Sequence, residues 1–368
     1  MFMRLKILLP SFILLLSLSI TDANAQLFGN KYKRRSSRNK AISNYTNRGG
    51  GRFRPYNFVS FNINAMNYYG DLAPVNRAAS SDVSFTRPGF GGEIGARFHQ
   101  RIAVRAGFNY GRLKGDDITS DPNDPESAPR YTRNLSFRND IKELHVGFEF
   151  YLIPTWGGPN VRPDFNVYLM GGLAVFHHEP KGLVPDFDYT TGGANSTIEA
   201  PSAGEWVRLR KLGTEGQFID GSDVKSYSPF QLSIPVALGV KMRLPGPFSA
   251  SLEVGYRYLF TDYIDDVSTG YIPFYAFDDP LARIMSDRSA EPTAYWAGVD
   301  RTVQVTNGTM SDGNVYYTAG GEYGIGGGLH EGEEQAIRGN PKDNDMIFST
   351  TLKVTMILGQ VRRSAKFR

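Results

Sequence analysis

Phe248-Ser249-Ala250-Ser251-Leu252-Glu253-Val254-Gly255-Tyr256-Arg257-Tyr258-Leu259-Phe260 is the stretch that decides the fold. Its even positions carry Phe248, Ala250, Leu252, Val254, Tyr256, Tyr258 and Phe260; its odd positions carry Ser249, Ser251, Glu253, Gly255, Arg257 and Leu259. Successive residues of a strand point to opposite faces, so this is one strand with an apolar face and a polar, charged face. Strands of soluble sheets usually stop at about five or six residues, whereas a tilted strand needs about 9–11 to cross a bilayer. Glu253 and Arg257 inside so long a strand require a wetted or ion-paired face opposite a lipid face.

Seven further stretches repeat the pattern, at about Phe58–Tyr69, Phe90–Phe98, Ile102–Arg112, Glu143–Leu152, Phe165–Phe176, Phe230–Leu244 and Met346–Leu358. Val59, Phe61, Ile63 and Ala65 share one face of the first, and Leu144, Val146, Phe148, Phe150 and Leu152 point outward from the fourth. The links after the second, fourth and sixth strands are short (His99-Gln100-Arg101; Pro245-Gly246-Pro247), and those after the odd-numbered strands are long, above all 179–229 and 265–345. Short periplasmic turns alternating with long outer loops mark outer-membrane barrels. The fold expected is therefore all-β: an eight-stranded antiparallel transmembrane β-barrel with long extracellular loops, occupying residues 55–361. An even strand count places both termini on the periplasmic side.

Composition agrees with export. Arg4 and Lys6 precede an apolar run from Leu8 to Ile20, and Ala23-Asn24-Ala25 fits a small-x-small cleavage site, so residues 1–25 read as a signal peptide. The chain has no cysteine, which excludes a lipoprotein anchor, a disulfide framework and a thiolate metal site. No later segment is long and apolar enough for a membrane helix. Residues 26–54 hold nine basic side chains, among them Lys31, Lys33, Arg34, Arg35, Arg38 and Lys40, and no acid. Residues 362–368 add Arg362, Arg363, Lys366 and Arg368. With the leader's net +1, the arm's nine and the tail's four set aside, residues 55–361 carry −10 of the chain's overall +4. The ends thus read as a basic periplasmic arm and a basic tail.

The charged inward positions are Glu93, Arg97, Arg105, Glu143, Glu149, Lys241, Arg243, Glu253, Arg257 and Lys353. An eight-stranded barrel is just wide enough to be filled by its own side chains, and an unpaired buried charge is costly, so these ten should pair across the lumen. Aromatic girdles are expected at Tyr68, Tyr69, Tyr110, Phe176, Phe230, Phe260 and Phe348 on the outer side and at Phe98, Tyr151, Trp156, Phe165 and Phe248 on the inner side. Asp71, Asp116, Asp117, Asp262, Asp265 and Asp266 close the outer ends of three strands. Such carboxylates could hold a hard cation such as calcium, but without a compact ligand spacing they read as a solvated rim ending strands and turns. His177-His178-Glu179 raises rim catalysis; adjacent histidines on a strand face opposite ways, and no nucleophile stands out, so no catalytic residue is assigned. Gly49-Gly50-Gly51 and Gly324-Ile325-Gly326-Gly327-Gly328 do not join a strand to a helix and read as loop rather than phosphate cradles.

Four segments resemble the PorG-like outer-membrane barrels of Bacteroidetes: Asn67-Tyr68-Tyr69-Gly70-Asp71-Leu72; Tyr110-Gly111-Arg112-Leu113-Lys114-Gly115-Asp116-Asp117; Leu212-Gly213-Thr214-Glu215-Gly216-Gln217; and Tyr256-Arg257-Tyr258 followed by Phe260-Thr261-Asp262-Tyr263-Ile264-Asp265-Asp266-Val267-Ser268. The resemblance implies a component of the type IX secretion system, linked to gliding motility and associated with a periplasmic ring. The long arm and the final Arg368, in place of a terminal aromatic, depart from the usual pattern. The function expected is a non-catalytic barrel that positions a periplasmic complex, its arm docking an acidic face of the ring. A small-solute pore and a surface ligand-binding or adhesion barrel are the alternatives. Outer-membrane lipid and the ring proteins are the expected partners; no nucleic acid, small-molecule substrate or cofactor is expected.

Overall fold

The computed structural model describes residues 53–72, 87–121, 128–188, 202–272, 276–289, 291–302 and 338–358. The leader, the arm cations from Lys31 to Lys40 and the basic tail lie outside the described residues.

Eight long strands form the barrel: β1 (Tyr56–Tyr69), β2 (Arg87–Arg97), β3 (Ile102–Asp116), β4 (Ser136–Tyr151), β5 (Phe165–His177), β8 (Phe230–Arg243), β9 (Phe248–Leu259) and β12 (Met346–Leu358). Each pairs antiparallel with its chain neighbours, and the first strand closes on the last, Asn57 opposite Leu358 and Tyr69 opposite Met346. Closure removes every unpaired strand edge, which a bilayer would not tolerate. The start of β1 and the end of β12 lie at one end with the three short links; this is called the terminal end. The opposite end is the loop end.

Along β9 the even residues Phe248, Leu252, Val254 and Tyr256 are exposed, while Ser249, Ser251, Glu253, Arg257 and Leu259 are buried. The same alternation exposes Phe61, Ile63, Ile94, Leu144, Val146, Phe148, Leu173, Leu238 and Leu352 around the whole wall. A continuous apolar belt on a closed sheet is the lipid-facing surface of a transmembrane barrel.

Two strands run further than their alternation indicates. β3 continues to Asp116 and β4 begins at Ser136, paired with it. Above the belt the polarity inverts: Arg112 and Asp140 face outward and pair at 2.6 Å, while Leu113, Phe137 and Ile141 point inward and are buried. Tyr68 and Phe176 also turn inward at this level, and Tyr151 does so near the terminal end, so none of the three is a girdle residue. Phe230, Phe260, Phe98, Trp156, Phe165 and Phe248 are exposed where girdles belong.

The loop end carries a cap. The short strands β6 (Lys181–Leu183) and β7 (Trp206–Arg208) extend the sheet from β4, helix α1 (Ala128–Arg133) precedes β4, α2 (Leu209–Leu212) follows β7, and α3 (Pro280–Ser286) and the hairpin β10 (Thr293–Ala294)–β11 (Val299–Asp300) lie in the last loop. Asp279 caps α3 by accepting from the Leu281 amide at 2.9 Å. Leu281 and Met285 pack with Leu209, Leu72, Leu113, Phe137, Ile264, Val267, Leu259 and Ile347 into one core shared by loops and strand ends. A second apolar cluster, including Phe58, Ala103, Tyr168, Met170 and Ile357, fills the barrel near the terminal end.

Candidate functional site

Between these two apolar layers lies an ionic layer. Arg105 of β3 is its hub: Nη1 is 2.8 Å from Glu253 Oε2, 2.9 Å from Glu149 Oε1 and 3.7 Å from Glu93 Oε2, and Nη2 donates to Glu253 Oε1 at 2.9 Å. Lys353 Nζ lies 2.7 Å from Glu93 and 3.4 Å from Glu253, and Lys241 Nζ 3.3 Å from Glu149. One level nearer the loop end, Arg257 donates to Glu143 at 2.6 and 3.2 Å and to Ser349 Oγ at 2.6 Å. His145 stands between the two groups, 3.5 Å from Glu93 and 3.7 Å from Glu143.

Tyr168 completes the hub by donating to Glu253 at 2.9 Å, and Tyr151 donates to Glu149. The Tyr168 ring lies over Gly239, its register partner, where a Cβ would stand 2.2 Å from the ring. A side chain at 239 would push the ring off its carboxylate.

Four carboxylates (Glu93, Glu143, Glu149, Glu253) therefore face four cations (Arg105, Lys241, Arg257, Lys353), and these eight charges balance. Two sequence-selected cations fall outside it. Arg97 donates to the carbonyls of His99 and Gln100 and stacks 4.0 Å from the Tyr151 ring; Arg243 is exposed, bonded to the Arg162 carbonyl. Both sit at the terminal end, one level below the carboxylates: side-chain parity selects the face of a strand but not the depth. His145, Asn109 and Tyr168 were missed because neutral polar side chains carry no charge signal, although His145 shares the inward parity of Glu143 and Glu149.

The lumen around Glu143, His145 and Arg257 leaves a small polar cavity among the described residues.

Asp116, Asp117, Asp262, Asp265 and Asp266 are buried rather than solvated, and Asp71 is half-buried, which corrects the sequence reading. Asp117 accepts from Arg133 at 2.7 and 2.9 Å and from the Leu135 amide at 3.1 Å. Asp116 lies 3.3 Å from Lys114. Asp266 accepts from Thr214 at 2.5 Å and Tyr227 at 2.6 Å. Glu215 accepts from the Ser268 amide and from Arg338, both at 2.8 Å, and Arg338 also donates to the Asp266 carbonyl. Tyr68 donates to Asp265 at 2.6 Å and Asp345 at 3.0 Å, and Asp71 accepts from the Asn340 amide at 2.8 Å. The four segments that carry the family resemblance thus meet in the cap. Among the described residues no group of three His, Cys, Asp or Glu side chains has metal-holding geometry.

Asp71, Asp262, Asp265 and Asp345 crowd together with no ion pair among the described residues. Burial first, then mutual repulsion, raises Asp265 and Asp345 well above the carboxylate range; burial raises Asp71; burial and Asp265 raise Asp262 to about 9. Asp266 is pushed up to about 6 by burial, partly offset by Arg338. A raised carboxyl pKa means that the folded state binds the proton more tightly than the unfolded chain. Its stabilisation is present below the unfolded value near pH 4 and is lost as pH rises through the folded value. The cap should accordingly open more readily at pH 8 than at pH 5, read by hydrogen exchange of its amides corrected for intrinsic rate. Among the described residues Asp262 Oδ2 has no hydrogen-bond partner, and Asp262→Asn removes the titrating carboxyl there. It should stabilise the cap at pH 8 by about 1–3 kcal/mol, after discounting for solvent at the rim, and by clearly less at pH 5. An equal effect at both pH values would show that the raised carboxyl pKa is not the cause.

His178 is fully buried, stacked on Tyr227, with Nε2 3.2 Å from the Ser228 carbonyl, and burial lowers its pKa to about 4. His177 packs on the Phe230 ring instead. The pair supports the base of the loop.

A family model described as "Domain of unknown function (DUF6089)" matches residues 56–201. No curated protein matches the chain in sequence. Among solved structures, the chain is similar to the attachment invasion locus protein Ail of Yersinia pestis, in complex with the heparin analogue sucrose octasulfate. That match has 7% identity, covers 83% of this chain and 99% of that one, and has a TM-score of 0.31. Neisserial surface protein A is 9% identical, with 82% and 96% covered and a TM-score of 0.31. The N-terminal barrel domain of Pseudomonas aeruginosa OprF is 8% identical, with 83% and 100% covered and a TM-score of 0.29.

Proposed function

We propose that this chain is a non-catalytic outer-membrane barrel that anchors or positions a periplasmic complex, as part of the type IX protein secretion and gliding machinery. The closed lumen carries the anchoring reading. An ionic layer held between two apolar layers, under a cap with its own core, packs the lumen among the described residues and supports holding position over conduction. The secretion-system assignment draws its support from the four segments that resemble PorG-like barrels.

Antiparallel barrels with a lipid belt are outer-membrane structures whose short turns face the periplasm. On that orientation the paired ends of β1 and β12 lie on the periplasmic side, and the segments that adjoin them in sequence carry thirteen cations against a body of net −10. An electrostatic dock for an acidic ring face follows, sensitive to salt because screening lengths are about 8 Å at physiological strength.

Replacing the nine cations of residues 31–54 with Gln should leave heat-modifiable migration intact, abolish co-purification of the ring from cross-linked membranes and reduce secretion. Retention of the ring and normal secretion would place docking elsewhere. Wild-type barrel in planar bilayers should give no steady conductance; stepwise currents would favour a pore.

A further inference from the structure

The balance of those eight lumen charges leaves Arg97 and Arg243 over, and the link after β4 adds Arg162. All three line a cleft at the terminal end with Lys241, Tyr56 and Ser249. The cleft is open to solvent, and no carboxylate lines it. Arg162 is nine-tenths buried, yet its donors reach only the Phe248 and Gly246 carbonyls and Ser249 Oγ, at 3.2, 2.8 and 2.7 Å. Arg97 is more deeply buried and bonds carbonyls and the Tyr56 hydroxyl. Lys241 shares Glu149 with Arg105. Arg243 comes no closer than 4.0 Å to an acid, the almost wholly exposed Asp164. Buried cations without a countercharge are costly, so the cleft is built to receive an anion.

We propose that this cleft seats a side-chain carboxylate from an acidic peptide segment of a periplasmic partner, an inference that rests on the anchoring function above. The position selects the source. The cleft opens inside the strand ring, whereas lipid headgroups lie outside it beyond Phe98, Phe165 and Phe248. The chain's adjoining segments, 26–54 and 362–368, contain no acidic side chain to fill it. Arg243 stands outermost and offers a planar two-pronged donor, Lys241 lies behind it, and Arg97 and Arg162 supply positive field from the walls.

The test uses the full-length barrel in detergent, with the nine arm cations already changed to Gln so that the arm cannot bind the probe. The probe is a fluorescent octaglutamate peptide read by anisotropy at 150 mM salt. Binding should be saturable and should weaken at least tenfold in Arg243→Gln, which loses only the Arg162 carbonyl and Asp164. Lys241→Gln, checked for heat-modifiable migration, should weaken it similarly. No binding, or binding unchanged in Arg243→Gln, overturns the inference. So does displacement by millimolar inorganic phosphate, which would assign a free-phosphate site, or a change confined to retention of anionic phospholipid, which would assign a lipid site. Ring co-purification with Arg243→Gln in the wild-type arm background separates the two claims. If the ring is retained there but lost on arm neutralisation, the anchor stands and the cleft does not serve it. If neither variant affects ring co-purification, docking lies elsewhere on the barrel and the cleft inference falls; if the ring fails to co-purify even with the wild-type barrel, the anchoring reading itself falls.

Discussion

Arg105→Ala should destabilise the folded barrel by about 3–5 kcal/mol, the usual cost of leaving buried charge uncompensated. Arg105 touches three of the four lumen carboxylates. Its loss leaves Glu93, Glu149 and Glu253 to share Lys353 and Lys241. Glu253→Ala should cost a similar amount from the opposite side, since Arg105 and Lys353 then face each other across the gap. The double substitution should cost clearly less than the sum, because each single change strands what the other removes. Urea unfolding in lipid vesicles, followed by the heat-modifiable band, measures all three. Neutral single substitutions would mean that water fills the lumen, and the pore reading would gain.

Leu252→Arg should cost about 2–4 kcal/mol, as cationic side chains on the lipid face near the bilayer midplane do. Leu252 lies midway along β9, paired with Val240 and Leu352, and is exposed on the belt. The matched change Phe260→Arg, beyond the end of the strand, should cost under about 1 kcal/mol because cost falls with depth. Equal costs at both positions would remove the bilayer from the explanation.

The wall of this barrel was legible because lipid imposes a rule on every second residue of every strand. Within the belt, β9 and β12 begin and end within a residue of where their alternation does. The rule lapses above the belt, where loops replace lipid as the neighbour. Phe137, Ile141 and Tyr68 there serve an inward core, and β4 starts eight residues before its outward pattern begins at Leu144. Leu259, an apolar residue on the polar face of β9, is the trace of that change in the sequence. The rim aspartates were misjudged for a related reason. Their partners Arg133, Thr214, Tyr227 and Asn340 come from distant loops, and spacing along the chain does not show which loop returns to which strand.

The cap and the barrel share a core, and this has a mechanical consequence. Leu259 and Ile347 are at once the ends of wall strands and members of the cap. A load applied at the terminal end, where β1 starts and β12 stops, therefore pulls on a body headed like a rivet. The head cannot follow its shank through the bilayer until Leu259 and Ile347 leave the core they share with Leu281 and Met285. Traction on this protein would meet resistance from two structures unfolding together, the sheet and its head, rather than from lipid grip alone.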